Sequence, residues 1–113
     1  MDAKEVMIGD KVMVKVLSQI PDTYVLHTWT ANDYSKDIQV KPITLTPEIL
    51  EKNGWWFDRV DAWLHNEVGF IIDKWNGRFQ CHEIPNMKLN YVHQIQQALR
   101  LCGLNELADN FKV

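Results

Sequence analysis

The chain has 113 residues, of which 46% are hydrophobic and 24% charged, and this balance excludes an intrinsically disordered protein. A chain of this length folds as one domain and can bury a core without a metal ion or a disulfide. The formal net charge is −3 and neither half is basic, so the overall charge argues against nucleic-acid binding and leaves only a local basic patch open.

The first 45 residues contain short extended segments. Lys11–Leu17 follows a Gly-Asp turn and places valine at alternate positions, which predicts a strand with one apolar face. Thr23–Thr30 and Ile38–Ile43 predict two further strands, separated by a polar loop at Ala31–Asp37. Three such strands are typical of a small Src-homology-like barrel or of a curled antiparallel sheet, and both alternatives stay open.

The central stretch Lys41–Gly54, KPITLTPEILEKNG, predicts a short helix with a defined start and stop. Thr46 is a suitable N-cap, the following proline fits the first helical position, and the closing Asn-Gly ends the helix. A helix of two turns is marginal alone and needs packing. We therefore predict a single compact domain over residues 1–113, in which the helix 46–54 joins a lobe of residues 1–45 to a lobe of residues 55–113.

The second lobe predicts another antiparallel sheet. Phe57–His65 is predicted to be extended, with a helical turn at Val60–Leu64 as the alternative, and Glu67–Trp75 predicts a stronger strand. Asn76-Gly77 predicts a type I′ turn, because both central residues of that turn need a positive φ. Arg78–Ile84 is then the returning strand of this hairpin.

A C-terminal amphipathic helix should cover this sheet. Asn90 can cap a helix that runs through Cys102, with Gly103 just past its end. At 100° per residue the apolar positions fall on one side and are Tyr91, Val92, Ile95, Ala98, Leu99 and Cys102. The opposite side is polar, is predicted to be solvated, and carries His93, Gln96, Gln97 and Arg100. A further helical turn is predicted at Asn105–Asn110.

The predicted fold class is α+β: a small antiparallel sheet or barrel, a short linking helix, a second antiparallel hairpin sheet and a C-terminal amphipathic helix.

Three stretches carry a family resemblance: IGDKV (Ile8–Val12), KPITLTPEILEKNG (Lys41–Gly54) and NYVHQIQQALRLCGLNELADNF (Asn90–Phe111). Their combination resembles a family of small uncharacterised proteins from Bacteroides and related gut bacteria, often found in phage-derived or other mobile elements. The resemblance spans nearly the full length and is weakest over Phe57–Met87. It implies a compact bacterial protein in the cytoplasm. The family has no assigned activity, so the resemblance carries over no catalytic or binding residue.

The lack of a recognisable targeting signal and the cysteine content also predict a cytoplasmic protein. The N-terminus, MDAKEVMIGD, contains no apolar segment typical of a secretory signal, and no apolar run approaches the ~18 residues of a membrane span. Without secretion, Cys81 and Cys102 are expected to be free thiols. We therefore expect a cytoplasmic protein that has no membrane contact.

No pattern in the chain predicts catalysis or metal binding. The histidines lack the spacing of a zinc motif, and the neighbours Cys81 and His82 would point to opposite faces of a strand. Cys102 is placed on the buried helix face, where a thiol is inert. Ser18 and Ser35 lie outside any nucleophile motif. The sequence thus predicts no catalytic residue, no cofactor and no metal ligand.

The tryptophans are the most suggestive feature and are Trp29, Trp55, Trp56, Trp63 and Trp75. Trp63 and Trp75 are predicted to pack in the core. Trp55 and Trp56 are adjacent, so in an extended segment only one of them can face the core. The other is left exposed, and the pair Trp55 and Trp56 is therefore our candidate partner contact.

The leading hypothesis is a small non-catalytic interaction protein of phage or mobile-element origin, which contacts an unknown protein partner or a second copy of itself. The alternatives are a nucleic-acid-associated accessory module built on the first lobe and a small enzyme of unknown reaction. A clustered stripe of lysine or arginine would favour the accessory module. A concave pocket with converging polar groups of perturbed pKa would favour the enzyme.

Overall fold

The computed structural model describes residues 5–16, 23–35 and 38–113, without the side chains of Val16, Ser35 and Trp75. In chain order its elements are β1 Lys11–Val16, β2 Val25–Thr28, a 3₁₀ helix Ala31–Ser35, β3 Ile38–Lys41, α1 Pro47–Lys52, β4 Trp55–Phe57, β5 Ala62–His65, β6 Ile72–Trp75, β7 Arg78–Cys81, α2 Val92–Leu101 and α3 Asn105–Asp109. The strands form two antiparallel sheets, which confirms the predicted α+β class.

The N-terminal sheet has the strand order β2-β1-β3. Its pairing is antiparallel, with Val14 of β1 opposite Val25 and Val40. Over the described part of this lobe the sheet stays open, so the barrel alternative is wrong and the open sheet is correct. The inner face packs in a small hydrophobic cluster that contains Val6, Val12, Val14, Trp29 and Val40.

The predicted loop at Ala31–Asp37 instead contains the 3₁₀ helix Ala31–Ser35, and its last two positions lie outside the described residues. Asp33 is the cause, because its Oδ2 accepts hydrogen bonds from the backbone N–H and the hydroxyl of Thr30, at 2.7 and 2.9 Å. These bonds close one tight turn. The same oxygen lies 2.7 Å from Nε2 of His27, which ties the turn to β2.

The helix α1 begins and ends where the sequence predicts. Thr46 Oγ1 accepts a hydrogen bond from the Ile49 N–H at 3.3 Å, and Pro47 occupies the first position. Gly54 follows the helix with φ of 94°, a conformation that favours glycine. Ile49 and Leu50 are buried, so packing stabilises these two turns.

The C-terminal sheet has the order β4-β5-β6-β7. The predicted single extended segment Phe57–His65 is wrong, because it contains the end of β4, a turn and β5. Asp58 Oδ1 accepts hydrogen bonds from the backbone N–H groups of Val60, Asp61 and Ala62, which reverses the chain. The same bonds lower the pKa of Asp58.

The strand predicted at Glu67–Trp75 is shorter than expected, since β6 covers only Ile72–Trp75. His65 Nδ1 accepts hydrogen bonds from the N–H groups of Glu67 and Val68, at 3.0 and 3.3 Å, and this bends the chain before β6. The return strand predicted at 78–84 also ends early, at Cys81.

The turn between β6 and β7 is confirmed. Asn76 and Gly77 have φ of 51° and 73°, as a type I′ turn requires. The backbone positions of Trp75 and Arg78 are paired across the two strands that the turn connects.

The helix α2 begins one residue later than predicted. Its N-cap position is Tyr91 and not Asn90. Gln94 Oε1 accepts from the backbone N–H groups of Asn90 and Tyr91, at 2.8 and 3.1 Å, so a side chain from inside the helix caps its start. The predicted final turn is confirmed as α3, and Phe111 beyond it is buried.

The apolar side of α2 packs in the larger hydrophobic cluster together with α1, the inner face of the C-terminal sheet and Phe111. Val92, Ile95, Ala98 and Leu99 on this side have no exposed surface. The polar side of the same helix lies against the N-terminal lobe, where Gln96 contacts Gly9 and Lys11. The helix therefore lies between the two clusters and joins them.

Candidate functional site

The structure separates the two tryptophans of the candidate partner contact. Trp55 is 2% exposed, and its indole N–H donates to the Phe70 carbonyl at 3.1 Å. Trp56 is 47% exposed and points to the opposite side of β4. Only Trp56 is therefore placed to contact a partner, because the Trp55 ring belongs to the core.

Trp56 lies on the outer face of the C-terminal sheet. Its neighbour across the strands is Leu64 of β5, which is half-buried. Val60, in the turn after β4, is also exposed. The other tryptophans with described side chains, Trp29 and Trp63, are buried, whereas the side chain of Trp75 lies outside the described residues.

The polar side of α2 is not solvated as predicted. Gln96 has no exposed surface, and its amide is fully used. Nε2 donates to the carbonyls of Gly9 and Ala108, at 3.1 and 2.9 Å, and Oε1 accepts from the Lys11 N–H at 2.8 Å. The prediction failed because the N-terminal lobe folds back onto this side of the helix, a long-range contact that helical periodicity does not report.

Asp10 is the centre of this contact between the lobes. Its carboxylate is fully buried and forms an ion pair with Arg100, with 2.5 Å between Oδ1 and Nη1. The other oxygen accepts from Gln97 Nε2 at 2.7 Å and from the Met7 N–H at 2.9 Å. A buried carboxylate needs such compensation, since desolvation otherwise disfavours its charged form.

A cleft of about 590 Å³ opens beside this network, at the start of α2. One wall is the N-terminal segment, with Glu5 and Met7, and the other is the first turns of α2, with His93 and Gln97. His93 is 5% exposed, and its Nδ1 is buried with no hydrogen-bond partner among the described residues. The ring stacks on Tyr91, with 5.8 Å between centroids and 10° between planes.

The protonation state of His93 follows from this position. Burial lowers the pKa of its imidazole, and the carboxylates of Asp10 and Glu5 act in the opposite direction. Because the pKa lies below the ordinary value for histidine, the ring is neutral at neutral pH. A neutral imidazole offers one donor and one acceptor.

A second surface is the outer face of the N-terminal sheet, which we call the lysine–tyrosine face. The strand register places eight described side chains on it: Lys11, Met13, Lys15, Tyr24, Leu26, Thr28, Gln39 and Lys41. Three of them are lysines and none is acidic. The alternation of Lys11 and Lys15 is visible in the sequence, but the strand register was needed to bring Lys41 and Tyr24 beside them.

The Tyr24 ring lies across this face. Its hydroxyl donates to Gln39 Oε1 at 3.3 Å, and Gln39 belongs to β3 on the far side of the central strand. The ammonium groups of Lys15 and Lys41 lie 5.5 and 5.7 Å from the ring centroid. The result is an exposed aromatic ring flanked by two positive charges.

The cysteines are both free, but Cys102 is exposed and not on the buried helix face as predicted. It follows the last turn of α2, where the chain turns toward α3. Cys81 is buried in the core, and burial raises the pKa of its thiol. Neither thiol has the lowered pKa of a catalytic cysteine.

The histidines do not converge on a metal site. Over residues 5–16, 23–35 and 38–113 no three histidine, cysteine or acidic side chains are close enough to share a metal ion. His27 pairs with Asp33, and His82 pairs with Asp73 at 3.0 Å. The hydrogen bond that His82 donates to the Asp73 carboxylate raises the pKa of His82.

Comparison with known proteins identifies no relative: no protein-family model, curated protein or solved structure matches this chain. The resemblance to the Bacteroides family therefore stays a prediction. Among the helices of the described segments, none has the length and apolar character that crossing a membrane requires.

Proposed function

We propose that this chain is a small non-catalytic interaction protein and that its ligand is single-stranded nucleic acid, held on the lysine–tyrosine face. The observation that carries the proposal is the exposed Tyr24 ring between the ammonium groups of Lys15 and Lys41. Proteins that bind single strands combine a positive surface along the backbone with aromatic rings on which bases stack.

Charge complementarity supports an anionic ligand. The eight positions of the face carry +3, whereas the whole chain carries −3, so the other residues of the sequence together carry −6. A polyanion is therefore attracted to one face and repelled from the rest. Lys11 extends the positive surface along β1, where its Nζ donates to the Thr28 hydroxyl at 3.2 Å.

The ring favours a single-stranded nucleic acid over an acidic peptide or a duplex. An acidic peptide gains from the lysines but has no base to stack on Tyr24, and the bases of a duplex are already stacked on each other. Stacking of one base on an aromatic side chain contributes about 1–3 kcal/mol. Leu26 and Met13 lie beside the ring on the same face and supply further apolar contact.

The experiment is a titration of fluorescently labelled oligo-dT and oligo-U, followed by anisotropy at several salt concentrations. We expect binding that weakens with salt, because about three phosphates are neutralised and the slope per phosphate is roughly −0.7 for single strands. Replacing Lys11, Lys15 and Lys41 with glutamine should abolish it. Tyr24→Leu should weaken it about tenfold through the loss of stacking.

The matched control replaces three other exposed lysines, Lys52, Lys88 and Lys112, with glutamine. This variant has the same net charge as the first and should keep most of the affinity. The proposal is overturned if both triple variants lose binding equally. It is also overturned if a poly-glutamate peptide competes as well as the oligonucleotide, if a duplex binds as tightly, or if no binding occurs at low salt.

Origin and location belong to the same proposal. The sequence resemblance alone supports an origin in Bacteroides and in a phage or mobile element. The two free thiols support a cytoplasmic location, where such thiols stay reduced.

A further inference from the structure

The cleft at the start of α2 is lined in part by apolar and aromatic side chains. Met7 is half exposed on one side, and the ring of Pro42 lies at the end of β3. The phenol ring of Tyr91 forms part of the floor beside the ring of His93. A flat group can stack on Tyr91 while an apolar stem lies along Met7 and Pro42.

Three groups that line the cleft can accept hydrogen bonds from a ligand, whereas Gln94 Nε2 and the N–H of the neutral His93 ring can donate. The Glu5 carboxylate has no hydrogen-bond partner among the described residues, and neither ring nitrogen of His93 has one. Gln97 Nε2 already donates to the Glu5 carbonyl and to Asp10, which leaves Gln97 Oε1 as an acceptor. A ligand that satisfies this set must bring several N–H donors.

An anion does not fit the same cleft, although it lies at a helix N-terminus. Three of the backbone N–H groups at this helix start are already used: Asn90 and Tyr91 donate to Gln94, and Val92 donates to the Ile43 carbonyl at 2.8 Å. Among the described residues, no lysine or arginine lines the cleft. The one formal charge on the described lining residues is that of Glu5, and the buried carboxylate of Asp10 lies behind Gln97.

From these observations we infer that the cleft binds a guanidinium group carried on an aliphatic stem. The guanidinium is planar and stacks on aromatic rings, and its five N–H donors match the carboxylate of Glu5, the imidazole of His93 and Gln97 Oε1. The group can come from an arginine side chain in a peptide or from a small free alkylguanidine. The inference is independent of the lysine–tyrosine face.

The test is a titration of the full chain with propylguanidine and with the peptide acetyl-Gly-Arg-Gly-amide, followed by NMR of the His93 imidazole. We expect saturable shifts of His93 and Tyr91 for both ligands. Binding should also lower the pKa of His93, because a bound cation disfavours protonation of the ring. Tighter binding of the peptide assigns the site to an arginine side chain, and equal or weaker binding of the peptide assigns it to a free alkylguanidine.

Controls separate recognition from folding. Acetyl-Gly-citrulline-Gly-amide has nearly the shape of the arginine peptide without its charge, and it should not bind. Glu5→Gln changes an exposed side chain and should weaken binding about tenfold, whereas Glu106→Gln, an exposed change elsewhere, should not. The lysine-to-glutamine variant of the lysine–tyrosine face should bind normally. Absence of His93 shifts at millimolar ligand, equal binding of the citrulline peptide, or an unchanged affinity in Glu5→Gln would each overturn the inference.

Discussion

Arg100, in the last turn of α2, forms an ion pair with the fully buried carboxylate of Asp10, which precedes β1. Removing one partner of a buried pair costs about 3–5 kcal/mol, because the other charge is left uncompensated. We therefore expect Arg100→Gln to lower the free energy of unfolding by that amount, measured by urea denaturation. Asp109→Asn is the control, since its carboxylate lies 3.6 Å from Arg100 and is 64% exposed. It should cost less than ~0.5 kcal/mol.

A double-mutant cycle sharpens this test. Asp10→Asn alone should be destabilising, because an amide cannot reproduce the acceptor geometry toward both Arg100 and Gln97. Combined with Arg100→Gln, it should cost clearly less than the sum of the two single changes. Additive costs would contradict a direct interaction between the two side chains.

Substitutions of the two adjacent tryptophans should lower the free energy of unfolding by very different amounts. Trp55→Ala removes a buried ring that packs on Phe70 and Phe111, and it should cost about 3–5 kcal/mol. Trp56→Ala changes an exposed ring and should cost less than ~1 kcal/mol. Denaturation of the two variants under identical conditions measures both values.

The Trp56→Ala variant also tests the predicted self-association. If it contacts a second copy of the chain, light scattering of the concentrated protein should show a dimer that Trp56→Ala converts to a monomer. A strict monomer at high concentration would remove self-association as the role of this ring, and Trp56 would then be left as a contact for a different protein.

Acid should weaken the contact between the lobes through His93. Burial lowers the pKa of this ring in the folded state, whereas in the unfolded chain it lies near about 6.5. The unfolded chain therefore binds the proton more readily. The contribution of His93 to stability is complete above about pH 6.5 and is lost as the pH falls through the folded pKa.

The pH dependence of the melting temperature checks this sign. His93→Gln should reduce the loss of stability between about pH 6.5 and 5 relative to the unchanged protein. The charged groups that act on the ring, Asp10 and Glu5, are unaltered in this variant. His82→Gln is the control: hydrogen bonding raises the pKa of His82, so it contributes with the opposite sign, and removing it should not flatten the acid side.

Substitutions at two glycines with positive φ distinguish the cost of backbone strain from the cost of a steric clash. A Cβ on Gly54 would lie 2.7 Å from Nε2 of His65, which donates to the Asn53 carbonyl. A Cβ on Gly103 would meet no atom within 4 Å. Gly103→Ala should cost about 1 kcal/mol from the left-handed backbone alone. Gly54→Ala should cost roughly 1–3 kcal/mol more. Equal costs in chemical denaturation would contradict the close approach of His65.

The features that the sequence predicts well depend on near neighbours in the chain. Thr46 caps α1 through the residue three positions on, and the turn at Asn76-Gly77 depends only on backbone φ. Alternation along β4 requires that one of Trp55 and Trp56 be buried, but it does not say which one. That choice depends on α1 and Phe111, which cover one face of the sheet.

The errors concern contacts between distant residues. Because Gln96 has a polar side chain, the sequence predicts that it faces solvent. Instead it is buried, and its hydrogen bonds to the N-terminal lobe span 85 and 87 residues. His93 is buried by the same lobe. The strand ends fail for a different, local reason, since the side chains of Asp58 and His65 accept hydrogen bonds from backbone N–H groups two to four residues on and bend the chain there. The cleft could not be predicted, because its walls are distant in sequence.

The position of α2 has a consequence for synthesis of the protein. Asp10 leaves the ribosome 90 residues before Arg100, and Lys11 leaves it 85 residues before Gln96, which accepts its N–H. The N-terminal sheet is therefore translated first but has no partner for its buried carboxylate until nearly the whole chain has emerged. A nascent chain halted before α2 would expose that carboxylate to water. The contact between the two lobes can form only after α2 has been synthesised.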